Sequence, residues 1–456
     1  MTGSKNVAAE IARAVHELGG CVYYVGGCVR DELLGVGVKD IDIEVHGVTP
    51  EALTGILSRF GECRSQGTSF GIYGIRGIDL DIAMPRSEKA TGRGHKDFEI
   101  YVDPFIGTLK AAKRRDFTVN ALMKDVLTGE IIDHFGGLSD MKNKILRHVN
   151  DESFAEDALR VLRCAQFSSR LGFSVAPETL ALCRGISLAD LPKERVAAEC
   201  EKALLKAEKP SVFFAFLRDA DQLDVWFPEM KALIGIMQSP RFHAEGDVWN
   251  HTMLVLDEAA KLRECADRPA WFMYSAAVHD LGKASCTEYI GGVWHAYGHE
   301  SAGLPAVERF CDRLTSNKAM KNYLLNMTAL HMKPNILAAR QASIKSTNRL
   351  FDDAAEPDDL LLLARADDLG RIGEAASPEA PDFLRERLAL YREVMSRPYI
   401  KGADLVANGI PPSDYFSDIL AFAHKLRLAC VPYDSALKQT LAYARKFRKN
   451  VQNDEK

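Results

Sequence analysis

Tyr23-Tyr-Val-Gly-Gly-Cys-Val-Arg-Asp-Glu-Leu-Leu-Gly-Val-Gly-Val-Lys-Asp-Ile-Asp-Ile-Glu44 decides how the chain is read. The β-branched and aromatic run Val22 to Val25 predicts a buried strand, Gly26-Gly27 a tight turn, Val29 to Leu34 a short helix, and Ile41 to Val45 a second strand. Side chains alternate along a strand, so Asp40 and Asp42 project to one side, about 6 to 7 Å apart. Carboxylates so placed suit hard divalent cations, which take oxygen ligands and bind substrate phosphates at the same time. A Gly-Gly turn before a helix start offers backbone N–H groups, with no Cβ in the way, to an anion such as a triphosphate. The order and closeness of the two features point to metal-dependent nucleotidyl transfer.

Outward from this stretch, 456 residues give room for several domains and a sizeable core. The hydrophobic fraction of 47% and charged fraction of 27% are those of an ordinary soluble protein. A net charge of −5 does not advertise a nucleic-acid partner, nor does it exclude one, because phosphate binding needs only a local basic surface. The ten cysteines form no C-x-x-C pair, which argues against a zinc ribbon or a disulfide framework and for reduced thiols in a cytoplasmic protein. With no apolar segment at the N-terminus and no run of about 18 apolar residues, neither secretion nor membrane insertion is expected.

Val-Gly-Gly-Cys-Val-Arg-Asp and Lys-Asp-Ile-Asp-Ile resemble the nucleotidyltransferase superfamily that includes DNA polymerase β. The likeness is closer to class II tRNA nucleotidyltransferases and bacterial poly(A) polymerases. Two strands, Phe70 to Ile75 and Ile78 to Ala83, are expected to extend an antiparallel sheet. Asp79 and Asp81 share the same alternation and spacing does not choose between them; the resemblance, through Asp-Ile-Ala followed by Arg and Glu, favours Asp81 as a third metal carboxylate. Residues 86 to 97 are polar, glycine-bearing and without period, so they predict a mobile loop. The resemblance gives such a loop a part in switching from CTP to ATP, which leans toward complete CCA addition. Arg-Arg-Asp-Phe-Thr-Val-Asn-Ala-Leu, ending at Leu122, continues the likeness. It implies nucleotide contacts from Arg115, with Gly26, Gly27 and Arg30 also holding the nucleotide.

The segment Phe154 to Phe173 is strongly helical, with Asp157, Arg160 and Arg163 at spacing three on one face. On a solvated helix that pattern is a surface salt-bridge ladder. It has a second reading in base selection. Cytosine and adenine both present an amino donor beside a ring-nitrogen acceptor, whereas uracil and guanine present a carbonyl beside N–H. A carboxylate and a guanidinium would therefore admit C and A and leave buried groups unpaired with U or G. The resemblance assigns that reading to Asp157 and Arg160, in the family's Glu-Asp-x-x-Arg motif, and places Arg163 near the triphosphate or base. Gln166 departs from relatives that carry a further arginine there.

From about residue 216 the chemistry changes. His251, the pair His279-Asp280 in Ala-Ala-Val-His-Asp-Leu-Gly-Lys283, and Asp367 in Ala-Asp-Asp-Leu-Gly-Arg371 resemble the ligand set of HD phosphohydrolases. Imidazoles with carboxylates suit Mn²⁺, Ni²⁺, Fe²⁺ or Zn²⁺ better than Mg²⁺. His299 and His331 would join this site or bind substrate phosphate, and the family pattern chooses Asp367 over Asp368. The resemblances together imply an α+β catalytic head (1–148) with a small mixed or antiparallel sheet. A helical neck (149–215), a helical body with the HD domain (216–395) and a helical tail (396–456) follow it. They imply addition of CCA to tRNA from CTP and ATP, with Mg²⁺ on Asp40, Asp42 and Asp81, plus phosphohydrolysis at RNA ends. Poly(A) synthesis, CC-only or A-only addition, an HD hydrolase with an inactive head, and a non-catalytic RNA-binding module are the rivals.

Overall fold

The computed structural model describes residues 2–454 except 38–39, 66–70, 91–97 and 374–379. The chain divides into two compact units, one of residues 1–203 and 212–225, the other of 204–211 and 226–456.

In the first unit, α1 (Thr2–Glu17) places Ala8, Ile11, Ala12 and Val15 on one stripe, and all four are buried. It leads into β1 (Cys21–Val25), α2 (Gly27–Leu33), β2 (Asp42–His46) and α3 (Pro50–Leu57). The last begins as expected, with Thr49 Oγ1 accepting from Ala52 N at 3.3 Å and Pro50 in the first turn. Then come β3 (Cys63–Ser65), β4 (Ile72–Ile75), β5 (Asp81–Ala83), β6 (Arg86–Ala90), β7 (Phe98–Val102), α4 (Thr108–Lys113), β8 (Met123–Asp125) and β9 (Ile131–Ile132). Seven of the strands make one sheet in the order β3-β4-β5-β2-β1-β8-β9. It is mixed: β2 and β5 run parallel and the other neighbours antiparallel.

Alternation sorts the two faces of this sheet. Ile43 and Val45 of β2 and Ile82 of β5 share a core with Ile11, Val15, Leu53 and Ile56 of α1 and α3. Asp42, Glu44, His46 and Asp81 therefore lie on the opposite face. Residues 86–90 correct the expectation of a loop, since β6 pairs with β7 from Arg86↔Val102 to Ala90↔Phe98. Arg-Ser-Glu-Lys-Ala has no apolar alternation to betray a strand, and backbone pairing with the more strand-like Phe-Glu-Ile-Tyr-Val makes it one. Residues 91–97 of that expected loop lie outside the described residues. After α5 (Gly137–Lys142) come α6 (Asp151–Glu156) and α7 (Leu159–Leu171).

The second unit is built of helices. Those at Val248–Leu262, Pro269–Val278, Lys318–Leu330 and Pro357–Leu369 pack together around buried Trp249, Phe272, Leu324 and Leu363. A separate small core joins Ile400, Leu405, Ile419, Ala423 and Ala436 near the C-terminus. Among the described residues no helix is long and apolar enough to cross a membrane.

Candidate active sites

The parallel register of β2 and β5 sets Asp42 directly beside Asp81, and Asp81 N donates to Ile41 O at 2.9 Å. Asp79 precedes the strand and gains no such pairing. Asp40 lies in an exposed bend before β2 rather than on the strand, which corrects the expected strand alternation of Asp40 with Asp42. The three carboxylates still crowd electrostatically. Burial, then Asp81 and Asp40, push the Asp42 carboxyl above its ordinary value, against the pull of Arg115.

The glycine turn closes on the same place. Gly26, at φ 70°, starts α2, and a Cβ there would lie 3.4 Å from Arg115 Nη1. Arg115 is held by Glu44, which sequence reasoning passed over although it continues the Asp42 alternation. Glu44 accepts from Arg115 Nη2 at 3.2 Å, pairs with Arg114 at 3.5 Å, and lies 2.9 Å from His46 Nε2. Burial alone would raise the Glu44 carboxyl; the His46 hydrogen bond and the charges of Arg115 and Arg114 outweigh it and hold it at about 2. A depressed carboxyl contributes stability that is present above its unfolded value and lost as pH falls through the folded one. Wild-type protein is therefore expected to lose about 3 kcal/mol between about pH 4.5 and about pH 2. Urea unfolding across that range checks it, and Glu44→Gln should flatten this part of the curve; an unchanged acid slope would remove Glu44 from the account.

Arg30 is buried and donates to Asn120 Oδ1 at 2.5 Å; Asn120 Nδ2 donates to Asp116 Oδ1 at 3.0 Å, and Arg163 Nε to Asp116 Oδ2 at 2.8 Å. This relay ties α2 to α7. Arg30, Arg163 and Arg170 also lie about 5 Å from the Phe167 ring centre. Gln166 is buried, and its Nε2 meets no hydrogen-bond partner among the described residues.

Asp157 does not share a helix face with Arg160 and Arg163, contrary to expectation. Its backbone is extended (φ −121°, ψ 102°) in the break between α6 and α7, where Oδ1 accepts from Leu159 N at 3.0 Å. The side chain thus competes locally for the backbone, as aspartate does at helix starts. Oδ2 pairs with Arg195 at 3.1 Å. Arg160 donates to the carbonyls of Ser153 and Arg114 at 2.5 and 2.7 Å, leaving guanidinium donors over for another partner.

In the second unit, His251, His279, Asp280, His299, His331 and Asp367 converge, all buried. Their tautomers follow from what each Nδ1 touches. His279, His299 and His331 each direct Nδ1 at the carbonyl three residues earlier, at 2.9, 2.9 and 2.7 Å, and His251 directs Nδ1 at Glu245 Oε1 at 3.0 Å. Every Nε2 then turns a lone pair inward. His299 and His331 bring these atoms within 3.2 Å of each other. Asp280 lies between two groups: Oδ2 is 3.3 Å from His279 and 3.6 Å from His251, Oδ1 is 3.1 Å from His299 and 3.6 Å from His331. Asp367 Oδ1 meets His251 Nε2 at 3.0 Å while Arg371 holds Oδ2 at 2.8 Å.

Both Asp280 oxygens and His279 Nε2 are buried without a hydrogen bond of proper geometry, although Lys283 Nζ is 2.7 Å from Oδ2. Converging lone pairs with orphaned acceptors are the donor set of a cation. Lys283, Arg371 and Glu245 were not singled out from sequence. Glu245 also accepts from Ile372 N at 2.9 Å and lies 2.8 Å from His243 Nδ1. Burial opposes its charge, but the histidine hydrogen bonds keep its carboxyl at about 2, while burial first drives His243 down to about 4.

A mixed sheet whose glycine corner faces carboxylates on two parallel neighbours is the architecture of a polymerase-β-like nucleotidyltransferase. Residues 22–147 match the Poly A polymerase head domain, and 172–234 match the "probable RNA and SrmB-binding site of polymerase A". The chain belongs to the multifunctional CCA protein family. The Pasteurella multocida member is 39% identical, covering 77% of this chain and 84% of that one, and the Methylococcus capsulatus member is 38% identical, covering 83% and 89%. Among solved structures, a Thermotoga maritima CCA-adding enzyme complexed with tRNA shares the fold with a TM-score of 0.65 at 19% identity, covering 96% of this chain and 95% of that one. A CCA-adding enzyme complexed with ATP gives 0.67 at 19% identity, covering 96% and 93%.

Proposed function

We propose that the chain adds C, C and A in order to tRNA 3′ ends from CTP and ATP, and that its second unit hydrolyses phosphoesters at RNA ends. The observation that carries the first activity is the Asp42–Asp81 register pair on the face that also holds Arg115 and the Gly26-Gly27 turn. Asp40, Asp42 and Asp81 would hold Mg²⁺, which supplies Lewis acidity for the attacking hydroxyl and the departing pyrophosphate. The backbone N–H groups at Gly26 and Gly27 cradle the triphosphate, and Arg30 and Arg115 hold it. Asp157 accepts from the amino group of cytosine or adenine, and Arg160 donates to the adjacent ring nitrogen. On this reading the domains are the head (1–148), neck (149–215), body (216–395) and tail (396–456).

Incorporation of each labelled nucleotide into tRNA transcripts lacking CCA, CA or A tests this reading. Ordered C, C, A and arrest is expected. Long A tracts, or arrest before A, would replace it with poly(A) or CC-only synthesis. Asp157→Ala should erode discrimination against UTP by on the order of 100-fold with the protein still folded.

In the second unit His251, His279 and Asp367 would hold one cation and His299 and His331 another, with Asp280 shared between them. Mn²⁺, Ni²⁺, Fe²⁺ or Zn²⁺ suits these donors and would activate water for attack on phosphorus. Asp280 with its orphaned oxygens carries this reading. Glu245 fixes the His251 tautomer, and Lys283 neutralises part of the buried carboxylate charge.

A further inference from the structure

Between the histidines of the second unit the chain makes an excursion that neither site uses. Glu288–Ile290 and Val293–His295 pair as a hairpin in register Tyr289↔Trp294, closed by Gly291 and Gly292 at φ 60° and 84°, a turn that needs positive φ at both central residues. It is a two-stranded sheet of its own, and its apolar side chains face outward: Tyr289 is 61% exposed, Ile290 49%, and Tyr297, just beyond, 75%. An isolated hairpin is marginal on its own, and exposed aromatic surface of this kind marks contact with something else.

Its root is fixed to the site. A Cβ on Gly282 would fall 2.0 Å from His299 O and 2.6 Å from Gly303 N, so the turn after Asp280 and the short helix His299–Ala302 touch backbone to backbone. Ala296 O receives His299 Nδ1 at 2.9 Å, and His299 Nε2 is 3.1 Å from Asp280 Oδ1. Tyr297 lies two residues before His299, at most about 7 Å along the backbone. Its ring stacks on His295, with centres 4.9 Å apart and planes 13° apart. The stack presents π-surface beside the His–Asp cluster, and Glu288 is the hairpin's one carboxylate.

We infer that this hairpin is a base-stacking platform: the terminal nucleobase of an RNA chain stacks on Tyr297, extending the His295–Tyr297 pair, while its end phosphate sits at the Asp280 cluster. This rests on the phosphohydrolase reading and assigns the side chain that recognises the base of the RNA end. Stacking is sequence-tolerant, which suits an activity that must accept ends of any sequence.

The test uses full-length protein with Mn²⁺ and two substrates: a dinucleotide ending in a 2′,3′-cyclic phosphate, and methyl riboside 2′,3′-cyclic phosphate, which has no base. Tyr297→Ala should lower kcat/KM about 10-fold on the first and leave the second unchanged, with Tyr297→Phe retaining activity. Equal loss on both substrates, or none, overturns the platform. If wild-type protein cleaves neither substrate, the phosphohydrolase reading fails. The platform is then judged by photo-crosslinking an oligoribonucleotide with a 3′-terminal 5-iodouridine. A crosslink within residues 288–297 supports it; crosslinks confined to other segments, or hairpin contacts with a second copy of the chain, overturn it.

Discussion

Asp42→Ala is expected to lower nucleotide addition about 1,000-fold or more, and to leave the proposed hydrolysis at RNA ends within about twofold of wild type. The magnitude follows from charge. An ion that neutralises a triphosphate in transfer is worth several kcal/mol, and each 1.4 kcal/mol is a factor of ten. Asp42 stands beside Asp81 in register and is the most buried of the three head carboxylates. The same crowding gives a second expectation of opposite sign. Burial and the neighbouring carboxylates raise the Asp42 carboxyl, so its charge costs stability at neutral pH. Asp42→Asn should therefore be inactive in addition and no less stable, its melting temperature equal to or above wild type. A residue that served the fold would show the reverse, active and destabilised. Loss of both activities in a folded Asp42 variant would contradict two independent sites.

Much of this was legible in the chain because the signals were local. The β1–turn–α2 unit, the Thr49 cap and the Asp42 strand follow from alternation and glycine placement within a few residues. What stayed illegible depends on neighbours distant in sequence. Asp79 and Asp81 were equivalent by spacing, and only the parallel register with β2 brings Asp81 beside Asp42. Glu44 carries a role through Arg114 and Arg115, about seventy residues on, and no period announces that contact. Asp157 looked helical from its neighbours, but its carboxylate takes the N–H of Leu159 and breaks the helix. Strand β6 has no apolar alternation in its sequence and exists through its partner. The histidines were visible as residues, yet their inward lone pairs became visible only with the groups that fix each Nδ1, three backbone carbonyls and, for His251, the Glu245 carboxylate.

Those lone pairs set the second large effect. Protein purified with Mn²⁺ should retain about two transition-metal ions per chain, one for each group that meets at Asp280. His331→Ala should retain about one, and Asp280→Ala fewer than one, with phosphohydrolysis down by about 1,000-fold and nucleotide addition unchanged. The gradation comes from geometry. His331 Nε2 meets Oδ1 and His299, whereas Asp280 reaches His251 and His279 through Oδ2 and both other histidines through Oδ1. Losing Asp280 also leaves Lys283 buried with Gln238 Oε1 as its hydrogen-bond acceptor, so that variant is expected to be less stable as well. Metal content, measured on protein whose melting shows a folded second unit, separates the two effects. A wild type that retains one ion, with His331→Ala still holding it, would confine the cation to His251, His279 and Asp367 and leave His299 and His331 to meet the substrate phosphate. Full metal retention by Asp280→Ala would remove the shared carboxylate from the site altogether.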